Sequence, residues 1–208
     1  MGVLGRIADA ITANGYKTRA FSIRRESKVQ ENVPGMSPPP DFIGTDFVQA
    51  FNEDIGIGDG FGRVVQNLTE SRSSVFGDIW SSSMRRGINS TGLLRKALND
   101  KPLLADSSKY WTTNSLLEKQ LKQVAKLLAG RDVLGTDRNT FSVSQLGFDA
   151  HNSIQKRFSE PLQVVDTALD SFVAEMKAQG IWDDVVVVVA SEFGRSLRSN
   201  GRGTGTCD

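Results

Sequence analysis

Apolar residues recur at helical spacing near the start of the chain, and at both helical and strand spacing in its second half. Over residues 3–14, Val3, Leu4, Ile7, Ala8 and Ile11 fall three and four apart, which predicts a helix that stops at Asn14-Gly15. Arg19-Ala20-Phe21-Ser22-Ile23 then suits a short strand. From Arg24 to Asp41 the pattern dissolves, and Pro34-Gly35 and Ser37-Pro38-Pro39-Pro40 mark a loop. Residues 24–60 as a whole read as a loop-rich insertion. Beyond it, Val64, Val65, Leu68, Val75, Phe76, Ile79 and Trp80 form an irregular helical stripe from Phe61 to about Met84, weakened by interspersed serines. Ser90 or Thr91 can cap a further short helix through Leu93, Leu94 and Leu98.

The second half is patterned more sharply, and residues 115–204 form the best-defined α/β core. Ser115-x-x-Glu118 is a capping box, in which serine and glutamate satisfy free N–H groups at a helix start. Leu117, Leu121, Val124, Leu127 and Leu128 then place one face on a core, and Gly130 ends the helix. Thr140 to Leu146 alternate as a strand with one exposed face. Ser159 is the expected N-cap of a long helix, with Pro161 in its first turn. Leu162, Val165, Leu169, Phe172 and Met176 form its stripe, and Gly180 is its stop. Val185-Val186-Val187-Val188-Val189-Ala190 has no polar face and predicts a strand buried on both sides. Strand, helix and strand of these lengths make a right-handed βαβ unit.

Composition narrows the function without choosing it. The chain has 208 residues, enough for a single domain over 1–208 with a real core. Its net charge of +1 offers no basic field, so no nucleic-acid partner is expected. No apolar run approaches a membrane span, and no membrane partner is expected. The single cysteine, Cys207, allows no intrachain disulfide and no thiolate metal cluster. The glycine-rich run from Gly56 to Gly62 lacks the Lys and Ser/Thr of a phosphate-binding loop, and its spacing misses the dinucleotide fingerprint. It is expected to be a flexible loop.

The βαβ unit focuses attention on two turns, Gly147-Phe148-Asp149-Ala150-His151 and Ser191-Glu192-Phe193-Gly194-Arg195. Ligands bind outside the carboxyl ends of strands in open parallel sheets, and both turns are expected there. Asp149, His151 and Glu192 offer carboxylate oxygens and an imidazole, a donor set suited to Zn²⁺, Mn²⁺ or a similar divalent ion. Arg195, Arg198 and Arg202 can hold an anionic substrate through forked hydrogen bonds. The alternative is structural: a solvated histidine, an aspartate that merely forms a turn, and arginines on a mobile loop.

The same residues resemble a large bacterial family catalogued as domain of unknown function 1501, placed in the alkaline phosphatase and sulfatase superfamily. Gly147-Phe148-Asp149-Ala150-His151 resembles the family's Gly-Phe-Asp-Thr-His after a strand. Ser191 to Arg195 match Ser-Glu-Phe-Gly-Arg throughout, and Asn200-Gly201-Arg202-Gly203-Thr204 matches Asn-Gly-x-Gly-Thr. Leu4 to Ala10 is similar as well. The resemblance is specific from about Ser115 to Thr204, fair over 2–23 and weak between.

The resemblance implies a three-layer α/β/α fold with a mostly parallel sheet, alkaline phosphatase-like, expected here to be incomplete at both ends. It implies a metal-dependent hydrolase-like site for phosphate or sulfate esters, carried by an anionic small molecule or polysaccharide. Asp149 and His151 would supply one ligand pair, and Glu192 sits where many superfamily members have an aspartate. The family continues Gly-Thr-Asp-His-Gly, whereas this chain reads Gly203-Thr204-Gly205-Thr206-Cys207-Asp208. Asp208 stands near the ligand aspartate, out of register and without its histidine. Ser191 is assigned a supporting role beside Glu192, since the superfamily nucleophile comes from an earlier segment. Relatives often carry a twin-arginine export signal; nothing comparable begins this chain, and its location stays open. The alternative is a non-catalytic binding or assembly module that keeps the fold.

Overall fold

The computed structural model describes residues 2–45, 67, 70, 75–99, 101–191, 194–199 and 204–206. They form a mixed α/β protein with a small parallel sheet and several helices. Helix α1 spans Val3–Ala13 and strand β1 spans Thr18–Ile23, as the pattern predicts. A single 3₁₀ turn (Lys28–Gln30) interrupts the following loop before the short strand β2, Asp41–Ile43. Helix α2 covers Val75–Asn99, α3 Leu116–Ala129 and the one-turn α4 Arg131–Leu134. Strand β3 is Arg138–Ser142 and helix α5 is Ile154–Ala178. Two further strands, β4 (Arg195–Ser199) and β5 (Thr204–Thr206), pair antiparallel with each other.

The three-stranded sheet has the order β2-β1-β3, and both pairings are parallel. β1 lies in the middle, and all of its residues but Arg19 are buried. Its faces divide by the two-residue period of a strand. Phe21 and Ile23 join the main core with Leu117, Leu121 and Val124 of α3, Phe172 and Met176 of α5, and Leu94 and Leu98 of α2. Ser22 belongs to the opposite face, where its hydroxyl meets that of Ser142 at 3.0 Å. Thr18 joins that face to α1 through a 2.6 Å hydroxyl contact with Thr12. Phe21 stacks on its register partner Phe141, with ring centroids 5.2 Å apart.

The capping box forms, with one change of partner. Ser115 Oγ accepts from the Glu118 N–H at 3.2 Å. The Glu118 carboxylate accepts from Thr113 and Asn114 N–H, one and two residues further back than the serine itself. It therefore fastens the loop that enters the helix as well as the helix start. The expected stop at Gly130 also holds, for a packing reason: a Cβ there would lie 2.6 Å from the carbonyl oxygen of Ala97 on α2.

Four expectations are corrected. The irregular stripe from Val75 onward and the short capped helix are joined, because α2 runs unbroken from Val75 to Asn99, while Val64, Val65 and Leu68 lie outside the described residues. Ser90 and Thr91 sit inside it and cap nothing. Ser90 donates to Asp41 at 2.8 Å and receives Arg19, while Thr91 bonds back to the Ile88 carbonyl. Tertiary partners thus absorb hydroxyls that read locally as caps. Helix α5 starts at Ile154, not after Ser159, so Pro161 lies within it. Strand β3 covers Arg138–Ser142 where Thr140–Leu146 was expected. Past Ser142 a side chain replaces the neighbouring strand: Gln120 accepts from Ser144 N–H and donates to Ser144 C=O, both at 2.9 Å.

The fourth correction concerns the valines. Residues 185–190 are not a strand, and Val186 and Val188 are 89% and 79% exposed. A strand exists through its neighbour's backbone, and Val186–Ala190 make no backbone hydrogen bond among the described residues. Five valines carry strand propensity but not the partner that realises it. Only Val185 packs against the core, beside Ile181 and Trp182. The βαβ unit is therefore present as strand and helix, with its second strand unpaired. The glycine-rich run from Gly56 to Gly62 lies outside the described residues.

Polar staples hold the loops to this frame. Glu175 of α5 is fully buried, and its carboxylate accepts from Leu104 N–H at 3.0 Å, Ala105 N–H at 2.8 Å and Gln179 Nε2 at 2.8 Å. Replacing it with alanine leaves two backbone donors without their acceptor, at a cost of roughly 1–3 kcal/mol each. Glu175→Ala should lower the unfolding free energy by about 2–6 kcal/mol, read as a lower urea midpoint at unchanged m-value, while Glu175→Gln should lose less. Wild-type stability in Glu175→Ala would remove the staple from the account of the fold.

Candidate functional site

The loop that leaves β3 starts at the carboxyl end of a parallel strand, the end at which open parallel sheets bind ligands. It turns at Gly147, whose φ of 109° lies in the region that side chains avoid. A Cβ there would also approach Pro161 Cγ of α5 to 3.2 Å. The next four residues alternate. Phe148 is half-buried, Asp149 exposed, Ala150 2% exposed, and His151 exposed. The Phe148 ring meets Phe158 of α5 edge-to-face, with centroids 5.4 Å apart and planes at 71°. Two apolar anchors thus face the protein, and the two polar residues are turned out together.

The outcome is a contact between Asp149 and His151, with Oδ1 and Nε2 3.5 Å apart. That exceeds a good N–H···O hydrogen bond of about 2.7–3.2 Å. It is close to the edge of a tetrahedral zinc site, where ligand bonds of about 2.0–2.2 Å put donor atoms about 3.4 Å apart. Both side chains are about two-thirds exposed, at 68% for Asp149 and 67% for His151. Solvent access of this degree leaves the ion pair weak and the donor atoms reachable.

Ser191 is exposed, at the end of the valine stretch. Arg195 opens β4, in register with Thr206. Arg198 lies in β4, and residues 200–203 lie outside the described residues. Glu192, Arg202 and Asp208 lie outside the described residues, as does Cys207. Among the described residues no group of three His, Cys, Asp or Glu side chains is placed to hold an ion. The structure therefore brings together one pair, Asp149 with His151. Both turns were expected beyond neighbouring parallel strands. The first follows a strand and the second does not, because residues 185–190 have no strand partner.

Two features of the site escaped sequence reasoning. Pro161 was read as a first-turn residue, yet it packs against Gly147 from within α5. Phe158 showed no periodic role, yet it holds Phe148. A signal was present in the apolar-polar alternation of Phe148-Asp149-Ala150-His151, which places Asp149 and His151 on one side of an extended segment.

A family model described as "Protein of unknown function (DUF1501)" matches residues 97–206, more than half of the chain. The chain belongs to the DUF1501 family. No curated protein and no solved structure matches it. The matched residues contain β3, the Asp149 loop and α5, while β1, the sheet neighbour of β3, lies before them.

Gly147 supplies a test of this geometry. Gly147→Ala forces a side chain into a positive-φ position and against Pro161, and should cost about 1–2 kcal/mol in urea unfolding. An unchanged midpoint would mean that the turn relaxes freely and does not hold the pair.

Proposed function

We propose that this DUF1501 protein is a metal-dependent, hydrolase-like member of the alkaline phosphatase and sulfatase superfamily, acting on a phosphate or sulfate ester. In this reading the small parallel sheet and its helices are part of a three-layer α/β/α fold. The observation that carries the proposal is the Asp149–His151 pair, 3.5 Å apart beyond the end of a parallel strand. A carboxylate and an imidazole at ligand-edge spacing fit Zn²⁺, Mn²⁺ or a similar ion, and two donors make half of a four-coordinate set. Glu192 and Asp208 are proposed to add carboxylates.

When bound, such an ion polarises a phosphoryl or sulfuryl oxygen or lowers the pKa of a bound water. The chain's own residues orient and bind. Asp149 would hold the ion through a carboxylate oxygen and His151 through a ring nitrogen. Arg195 and Arg202 are proposed to grip the anionic ester of a small molecule or polysaccharide by forked hydrogen bonds. Ser191 is proposed to support Glu192.

Calorimetric titration with Zn²⁺ and with Mn²⁺ tests the proposal. Wild-type protein is expected to bind one of them, and His151→Ala to bind at least about tenfold more weakly. Equal binding by both proteins removes His151 from the site. With metal supplied, turnover of aryl phosphate or aryl sulfate esters is expected, and Asp149→Asn should abolish most of it. Metal binding without turnover of either ester favours a binding or assembly module over an enzyme.

A further inference from the structure

The pair at the site is held in place from α5, and the residues that hold it carry no chemistry of their own. Asp149 and His151 belong to a loop, and a loop alone leaves two exposed side chains free to choose many rotamers. The separation of their donor atoms depends on where the loop backbone lies. That backbone is clamped at two points by the same helix. Phe158 receives the Phe148 ring edge-to-face at 5.4 Å, immediately before Asp149. Pro161, three residues along α5, lies against Gly147, where an added Cβ would come within a tight 3.2 Å of its Cγ. Ala150, between the two polar residues, is 2% exposed and turns the loop inward once more. Phe158 and Pro161 are separated by less than one helical turn, so they form one face of α5 against one short stretch of loop.

We propose that Phe158 and Pro161 are positioning residues, which set the Asp149–His151 separation and so preorganise the two donors for an ion. The proposal deepens the metal-site reading and rests on it for its functional meaning, while the geometric part stands independently of any metal. Proline suits its place for a physical reason. It has no N–H, and its ring is rigid, so it presents a fixed apolar surface to Gly147. An edge-to-face aromatic pair such as Phe148–Phe158 adds a directional preference beyond burial, enough to bias a loop without defining the fold.

The chain has a single histidine, so the ring-proton resonances of His151 report the pair without ambiguity. The experiment is a double-mutant comparison read by NMR of the whole chain without metal. In the wild-type background, Asp149→Asn is expected to displace the His151 ring resonances. In Phe158→Ala the same change is expected to leave them nearly unmoved, because the two side chains no longer meet. An equal displacement in both backgrounds overturns the positioning role. Phe158→Tyr keeps the ring and should restore the coupling, which a loss of general stability would not explain. Phe158→Leu keeps apolar volume without the edge-to-face contact, and it carries the same comparison if Phe158→Ala does not fold.

A Zn²⁺ titration of the same variants separates this proposal from the metal reading. Affinity should fall at least about tenfold in Phe158→Ala and stay within about twofold in Phe158→Tyr, in the range found when supporting residues of metal ligands are removed. If wild-type protein binds no Zn²⁺ but the NMR coupling is lost in Phe158→Ala, the metal reading fails and the positioning role stands. If wild-type protein binds and Phe158→Ala binds equally well, the positioning role fails and the metal reading stands.

Discussion

The parallel pairing of β1 with β3 is the constraint on which the site depends. Phe21 and Phe141 stack across the pair, and Phe21 is wholly buried against the core. Burial of such a side chain contributes about 1.5–3 kcal/mol and ties the register of both strands to one contact. With Phe21 opposite Phe141, Ser22 is opposite Ser142, and the chain leaves β3 at a fixed height on the sheet. A shift by one residue would turn Phe141 to the other face and carry the loop beyond it along the edge. The location of Asp149 and His151 thus depends on an apolar contact made at Phe141, eight residues before Asp149.

The sheet has only three strands, and much of what fastens the loops around it is side chain to backbone. Gln120 pairs with Ser144 as a strand neighbour would. Gln30 donates to the Phe21 carbonyl, Gln123 to the Thr45 carbonyl, and Asp9 accepts from Val33 N–H and the Ser37 hydroxyl. Glu175 gathers Leu104 and Ala105. These groups explain why several polar residues are buried here. Each meets a backbone group, and apart from the Phe21 carbonyl these groups lie outside the strands; buried polar groups persist when paired.

The site follows the same logic at smaller scale. Two apolar residues of one loop, Phe148 and Ala150, lie inward, and the intervening polar residues turn outward. Helix α5 contributes the surface that receives them, while its own buried face is occupied with α3. One helix thus serves the core with its later turns and the site with its earlier ones. That division accounts for a helix reaching upstream of its serine-proline signal, since the extra turns bring Phe158 to Phe148.

Local signals in the sequence were sufficient for α1 and the capping box of α3, because each depends on neighbours within a few residues. The same signals offered Asp149 and His151 as donors by residue type and place after a strand, and left their meeting at 3.5 Å to the tertiary structure. They failed where the deciding partner is remote. Ser90 read as a cap until Asp41 and Arg19 claimed its hydroxyl. Ser159 and Pro161 read as a helix start, although contacts to Phe148 and Gly147 lie further upstream. The five valines read as a buried strand, yet hydrophobicity and propensity supply no hydrogen-bond partner, and the segment stands exposed. The sequence alone determined which residues are apolar, which turn the chain and which carry donor atoms. Tertiary structure alone decided which of them meet, because pairing and packing join residues whose separation in sequence carries no local signal.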